Sequence, residues 1–560
     1  MAEGRKNGFM RGTAILSAST LIVKALGLLF SIPLANFISA EGMSYFYGAY
    51  DIFTIFLVLS TAGLPIAVSR MVSTANAMGR RREADQVFSV AFWLFFAIGA
   101  AGCLIMLFGS RQISELLGKP GAAGTIVALA PTVFFLSITS ALRGYFQGRS
   151  NMVPTAASQV IEAVMKVAVG TGLAYYIITY IGSDSMAAVG AIIGVSVSSG
   201  LGMIYLVFCK LRQRRKDREL PEDGSAVSSR RDMMFSLLRF AVPITLGACF
   251  LSVLDFVDSA VLMDRMKTAA GFTQDQADYF SGVLGNARKF FDLPGAFVVP
   301  ISTSLLPVLS GAIVSGDKPQ VRHISSMSMR MTLLIAIPAS VGMSIFAEPI
   351  CMLLLAGRPD VGEGAARLLQ VLALAIAFSS TVYTTNAMLQ SFGRTTRPVI
   401  DMAVGGVVKI ALSYALAGIP EINVMGSAVS TVASYLVIVI LNLIAVRESL
   451  PGMDSVLGMA MPLLFSAAVM GAASYGAYLG LIQFLSPRLA LVPAIVIAVI
   501  VYALCAVLFR GVSYEDVCML PKGETIARLL KVKKSSRPRH MMVKTTSTRP
   551  SKGGRHMRNI

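Results

Sequence analysis

Fourteen apolar stretches follow one another along this 560-residue chain with only short polar gaps between them. They fall near 12–38, 46–75, 87–108, 122–144, 155–180, 187–209, 235–262, 281–313, 324–347, 364–390, 398–418, 425–446, 457–484 and 489–509. Each matches or exceeds the roughly 20 residues that a helix needs to cross a bilayer. An unpaired backbone group is costly in hydrocarbon, so a spanning segment must be a helix or part of a closed barrel. Runs this long and this continuously apolar select helices over the short alternating segments of a barrel. The expected fold class is therefore an all-α polytopic membrane protein with about fourteen transmembrane helices. Charged residues make up 14% of the chain, against about 25% in soluble proteins. Glycine and proline sit mostly inside the spans, as in "STAGLPIAVSR", where bends and close helix contacts are expected.

A formal charge of +19 would suit a nucleic-acid partner, but the placement of the charge argues against one. Roughly 34 of the 49 Lys and Arg fall in the termini and in the gaps on their side, and about 7 in the opposite gaps. That asymmetry places both termini in the cytoplasm of a multi-pass protein. The densest clusters, "KLRQRRKDREL" after the sixth span and the tail from "KVKKSSRPRH" onward, are topology signals that also meet anionic membrane lipids. Being charged and poor in large apolar residues, the tail is expected to be disordered. The first apolar run follows Arg5, Lys6 and Arg11 and is about 27 residues long. It exceeds a signal-peptide core and is expected to stay as an uncleaved span. Cys103, Cys209, Cys249, Cys351, Cys505 and Cys518 show neither pairing nor metal spacing. His323, His540 and His556 fall in expected cytoplasmic segments, so no metal or other cofactor is called for.

The chain also echoes itself. "RGYFQGRSNMVPTAASQVIEAVMKVAVG" follows the fourth span and "MLQSFGRTTRPVIDMAVGGVVKIALS" follows the tenth. Each ends a helix, turns through Gly148-Arg149 or Gly393-Arg394, restarts at Pro154 or Pro398, and sets Lys166 or Lys409 about three turns inside the next helix. A fainter echo pairs "GLPIAVSRM" with "VVPISTSLLP". An offset of about six spans preserves orientation, and parallel repeats imply two pseudo-symmetric six-helix lobes that rock about a central path. The expected organisation is a cytoplasmic N-terminus (1–11), an N-lobe (12–209), a basic loop (210–234), a C-lobe (235–446), a final helix pair (457–509) and a basic cytoplasmic tail (510–560).

Ionisable groups inside spans are costly and usually face a cavity or a partner. Lys24, near the middle of the first span, is a candidate cavity cation or the partner of an internal carboxylate. Arg288 and Asp292 are four apart and share a helix face, which allows a local ion pair, while Lys289 points about 100° away. The three sit either in a cavity or at the outer interface. Glu162 and Lys166 repeat the four-residue spacing and read as a structural pair, with Lys409 a further ion-pair candidate. Asp255 and Asp258 share a face of the seventh span; they either hold a proton or sodium ion or bridge to Lys24 or Arg288. Arg70, Arg239 and Arg330 read as anchors at span ends. Lys24, Arg288 and Lys289 together would give an electropositive site suited to phosphate or diphosphate, with the substrate's lipid tail left in the bilayer near the last two spans.

At "RGYFQGRSNMVPTAASQVIEAVMKV", "GTAILSASTLIVKALGLLFSIPLANFIS" and "YGAYDIFTIFLVLSTAGLPIAVSRMVS" the chain resembles the polysaccharide-biosynthesis branch of the multidrug/oligosaccharidyl-lipid/polysaccharide exporter superfamily. Within that branch it is similar to the stage V sporulation protein B group and the MurJ-type lipid II flippases, over about residues 10–510. The resemblance implies a V-shaped bundle of two six-helix lobes plus a helix pair in a bacterial cell membrane. It implies outward movement of undecaprenyl-diphosphate-linked sugars, with a basic cavity that holds the diphosphate. By position it makes Lys24 and Arg288 cavity cations, and Asp51, near the outer end of the second span, is a gating or salt-bridge candidate.

The expected activity is transport rather than catalysis: alternating-access movement of a lipid-linked diphosphate oligosaccharide by a protein expected to be monomeric. A flippase for another lipid-linked glycan, or a drug exporter coupled to H+ or Na+ through Asp255 and Asp258, would share the superfamily. A membrane enzyme is disfavoured by the lack of a His/Asp constellation or a nucleotide-binding glycine loop. A non-transporting scaffold would leave the buried cations unexplained.

Overall fold

The computed structural model describes residues 2–61, 63–218, 229–509 and 511–512, and every regular element among them is helical. The basic tail beyond residue 512, with Cys518, His540 and His556, and positions 219–228 of the basic loop lie outside the described residues.

The first half of the chain begins with α1 (Ala2–Phe37), α2 (Ala40–Thr61), α3 (Leu64–Ala77) and α4 (Arg81–Phe108). A short α5 (Ser110–Leu116) leads to α6 (Ala123–Gly148) and α7 (Val153–Met165). One π turn at Lys166–Thr171 carries α7 into α8 (Gly172–Tyr180), and α9 (Asp184–Arg218) ends the half. The second half opens with the long α10 (Arg230–Thr268), then α11 (Gln274–Phe291), α12 (Gly295–Val314) and α13 (Lys318–Ile345). There follow α14 (Ala347–Leu354), α15 (Pro359–Leu372), α16 (Leu374–Ser391), α17 (Thr396–Ala417) and α18 (Met425–Ser449). The pair α19 (Val456–Leu481) and α20 (Pro487–Leu508) completes the helices of the described residues.

Among the described residues, eleven helical stretches are long and apolar enough to cross a bilayer by themselves, and α15 with α16, bent by 51°, makes a twelfth. The first and seventh expected spans correspond to α1 and α10, continuous helices of 36 and 39 residues. The protein is an all-helical polytopic membrane protein.

Three expected spans are interrupted, each for a local reason. The second breaks before α3, where Pro65 removes an N–H donor and Gly63 lies so close to α10 that an added Cβ would strike the Ala241 carbonyl. The eighth, expected unbroken over 281–313, splits at 292–294 because Pro294 cannot continue the ladder of α11. Arg288 and Lys289 consequently lie in the last turn of α11, with Asp292 as its C-terminal cap residue. The tenth begins earlier than expected, at Pro359, and bends before α16.

Lipid offers little hydrophobic drive between helices, so close packing and interhelical hydrogen bonds hold the bundle. Ser60 meets Ser137 at 2.7 Å, Thr132 meets Ser196 at 2.7 Å, and Asn442 donates to Thr385 and Asn386 at 2.9 and 2.8 Å. A buried cluster joins Phe30, Leu34 and Phe46 to Met263, Leu284 and Leu369, so it is shared by both halves of the chain. α19 and α20 pack on each other and dock on α13 through the Tyr502 hydroxyl, which donates to the Leu334 carbonyl at 3.1 Å. Their outer faces leave Phe465, Val499 and Leu508 exposed, as lipid-facing helices do.

Candidate functional site: a charged cavity within the bundle

α10 packs against both α2 and α17, and α11 packs against α2. Between these helices and α18 lies a cavity of about 430 Å³, within the usual range of small-molecule sites. Lys119, Arg288, Lys289 and Lys409 line it, and so do Asp51, Asp255 and Asp292.

The α11 break explains how charges reach this depth. The last turn of α11 aims Arg288 at α10 and α18, where its Nη2 donates to Asp258 Oδ2 at 3.3 Å and to Ser427 Oγ at 2.9 Å. Lys409, three turns into α17, places Nζ 3.1 Å from Asp255 Oδ1 and 3.2 Å from Asp258 Oδ2. Asp258 is fully buried and its Oδ1 finds no partner, whereas Asp255 is 73% exposed toward the cavity. Lys289 Nζ lies 5.8 Å from the Tyr47 ring. Asp51 accepts a 2.8 Å hydrogen bond from Ser259. Lys119, in the turn between α5 and α6, is only 2% exposed and lies within electrostatic reach of Asp51 and Asp278.

Several expected partners are exchanged. Arg288 takes the second of its two expected partners, Asp258 of a neighbouring helix, and not the local Asp292. Glu162 pairs with Arg143 at 2.7 Å instead of Lys166. The π turn that starts at Lys166 moves the lysine off the face of Glu162, and its Nζ rests 4.6 Å from the Phe30 ring and 5.9 Å from the Tyr50 ring. Lys24 is exposed on α1, outside the residues that line the cavity, though within electrostatic reach of Asp292.

The expected electropositive cavity is, in this conformation, charge-matched. Among the described residues, four lining cations face three lining carboxylates, and Asp258 behind them is a fourth. Pairing is what insertion physics favours, because uncompensated like charges at this depth would be costly. Lys409, an ion-pair candidate in the sequence as the echo of Lys166, is a cavity cation paired with two aspartates, whereas Lys119 escaped the sequence reading. Lys119 sits in an expected outer gap, where the scarcity of cations was itself the signal.

One end of the cavity is bridged by polar contacts between the halves. Ser44 and Tyr45 donate to Asp278 at 3.3 and 3.2 Å, and Tyr47 donates to Asn286 at 2.9 Å. Gln274 and Lys267 both donate to the Gly118 carbonyl, at 2.8 and 3.2 Å. Asn36 donates to the Leu354 carbonyl at 2.7 Å and accepts from the Gly357 N–H at 2.6 Å, and Arg358 lies 3.6 Å from Asp184. The halves also approach closely at Gly282 of α11, where a side chain would collide with the Ala40 carbonyl of α2.

The family model described as "Polysaccharide biosynthesis protein" matches residues 9–312, and the model "Lipid II flippase MurJ" matches residues 279–508. Stage V sporulation protein B of Bacillus subtilis (strain 168) is 25% identical over 449 residues, covering 80% of this chain and 85% of that protein. Lipid II flippase MurJ of the same organism is 25% identical over 456 residues, covering 78% and 82%. A solved structure of "Lipid II flippase MurJ, inward closed conformation" aligns with a TM-score of 0.67 at 18% identity, over 90% of this chain and all of that one. At that identity the likeness establishes the fold.

Proposed function

Because the chain belongs to the polysaccharide biosynthesis protein family, we propose that it is a flippase that moves an undecaprenyl-diphosphate-linked cell-wall precursor, lipid II or a close relative, from the inner to the outer leaflet of the bacterial plasma membrane. The observation that carries this reading is the cavity, where Arg288, Lys289, Lys409 and Lys119 converge between helices that lipid surrounds. Arg288 offers a planar fork for phosphate oxygens and the lysines offer point charges.

In this reading 12–209 and 235–446 are the two rocking lobes, 457–509 is the helix pair that guides the lipid tail, and both termini are cytoplasmic. The end bridged by Asn36, Asp278 and Asn286 is then the outer seal, which must part for release. The inside-negative potential favours outward movement of the anion by about 2.3 kcal/mol per charge per 100 mV. Cavity cations cancel part of that charge. The activity is carriage, with no bond of the substrate broken.

The drug-exporter alternative needs Asp255 and Asp258 for a coupling ion, but both already hold Lys409. Complementation tests the flippase reading: the gene is placed in a bacterium depleted of its own lipid II flippase, and growth is scored for wild type and Arg288→Ala at matched membrane expression. Rescue by wild type that Arg288→Ala loses is expected. Membrane expression of wild type without rescue would overturn the lipid II assignment, and rescue by both would remove Arg288 from the site.

A further inference from the structure

Lys409 is shared by two carboxylates that differ in every respect except distance. Asp258 is sealed behind the cavity wall, and Arg288 and Lys409 both reach its Oδ2. Asp255, one helical turn earlier on α10, holds the same ammonium at 3.1 Å but stands 73% exposed in the cavity. One carboxylate is fixed and the other is replaceable.

We propose that Asp255 stands in for the substrate's phosphate: it is a displaceable counter-anion that occupies Lys409 in the empty carrier and yields it to an arriving lipid diphosphate. The proposal rests on the flippase reading above and adds a role that reading does not contain. Three features support it. Losing Asp255 leaves Lys409 still held by Asp258, so the exchange never strands a bare buried ammonium, which would be costly. The bonds that hold Arg288 to Asp258 and Ser427 both leave from Nη2, so neither uses its Nε and Nη1 donors. A freed Asp255 remains exposed at the cavity wall.

The exchange also addresses the return stroke. A site built only of cations would bind a diphosphate well but then carry a naked positive cluster back across the membrane. With Asp255 restored to Lys409, the empty carrier is charge-matched, as its cavity is here. The carboxylate thus gives up affinity and gains turnover. Asp255 is a positioning residue in this scheme, acting through Lys409.

The test uses the full chain in nanodiscs of phosphatidylcholine with farnesyl diphosphate as probe and inorganic pyrophosphate in parallel, so that a lipid headgroup site is distinguished from a free-anion site. Asp255→Asn and Asp255→Ser are expected to bind farnesyl diphosphate roughly tenfold tighter than wild type, because the ligand no longer competes with a carboxylate. Asp255→Glu is expected to stay near wild type. In proteoliposomes the Asn and Ser variants are expected to exchange a diphosphate lipid between leaflets several-fold more slowly, and adding Lys409→Met should abolish the affinity gain. Unchanged or weaker binding by both Asp255→Asn and Asp255→Ser, with wild type binding normally, would overturn the counter-anion role alone. Failure of wild type to bind farnesyl diphosphate would overturn the diphosphate reading and this inference with it. Tighter binding of pyrophosphate without any preference for the farnesyl form would reassign the site to a free anion and reject the lipid substrate.

Discussion

Lys166 and Lys409 occupy matching places, about three turns inside the helices that restart at Pro154 and Pro398, and have opposite surroundings. Lys166 leaves its helix at a π turn and lies against the faces of Phe30 and Tyr50. Lys409 stays on a regular helix and is clasped by Asp255 and Asp258. Phe30 stands on α1 and both aspartates on α10, helices that also correspond in the six-span offset, while Tyr50 comes from α2. Both places keep a lysine, but the group that answers it is aromatic in the first half and acidic in the second. An aromatic face attracts a cation without neutralising it; a carboxylate neutralises it and can be exchanged for another anion. On the counter-anion proposal, exchangeable ion chemistry belongs to the second half of the chain.

The largest expected effect breaks this contrast directly. Lys409→Met strands Asp255 and leaves buried Asp258 with Arg288 as its remaining basic partner, a loss of about 3–5 kcal/mol for a broken buried pair. The variant is expected to melt well below wild type in detergent and to fail complementation. Lys166→Met keeps an aliphatic stem and a thioether against the same rings, and is expected to cost no more than about 1 kcal/mol. Equal losses in the two melts would show that the two lysines do the same work.

A smaller effect sharpens the same point. Adding Asp258→Asn to Lys409→Met removes the buried carboxylate that lost its lysine, and part of the lost stability should return, the rest staying lost because Arg288 is left with Ser427 alone. Complementation should not return with it. A double variant as unstable as Lys409→Met would mean that the lysine's packing, not its charge pairing, holds α17 to α10.

The contrast between the halves also shows where sequence reading stops. The fold class was legible because bilayer thickness imposes a run length that any apolar stretch reveals, and Pro154 and Pro398 marked the echo between halves. Of the charge partners, the bridge from Asp258 to Arg288 was among the expected alternatives, but the clasp on Lys409 was not legible. Lys409 and Asp255 are 154 positions apart, and no local spacing links residues on helices that meet only after folding. Where local spacing did suggest a pair, at Glu162 and Lys166, Arg143 of the neighbouring helix intervened at 2.7 Å. Apolar continuity through 281–313 likewise hid the break at Pro294, although that break is what brings Arg288 and Lys289 to the cavity. In each case the governing fact was which helix lay alongside.

The smallest predicted effects concern a second pair of matched residues, Arg149 and Arg394, which follow α6 and α16. Each reaches a carboxylate near the end of the third helix of its segment: Arg149 takes Asp217 at 2.6 and 3.0 Å, and Arg394 takes Glu448 at 3.0 Å. The first pair is bidentate, joined by the Tyr145 hydroxyl at 2.6 Å, with side chains 20% and 11% exposed. The second is 45% and 56% exposed. Arg149→Ala should therefore cost about 2 kcal/mol, as for hydrogen bonds to charged groups, and Arg394→Ala less than about 1 kcal/mol, as for a surface pair. The two also differ in their response to acid. Burial pushes the Asp217 carboxyl up, but hydrogen bonds from Arg149 and Gln213 outweigh it and hold the group below the ordinary carboxylate range. A depressed folded-state pKa stabilises the protein fully above the unfolded value, and that contribution is lost as pH falls through the folded value. Acid melts of wild type and Asp217→Asn should accordingly converge as the pH drops below the carboxylate range and separate above it. A gap that persists unchanged at low pH would mean that Asp217 acts through packing, and the halves would then differ in shape at this end rather than in charge.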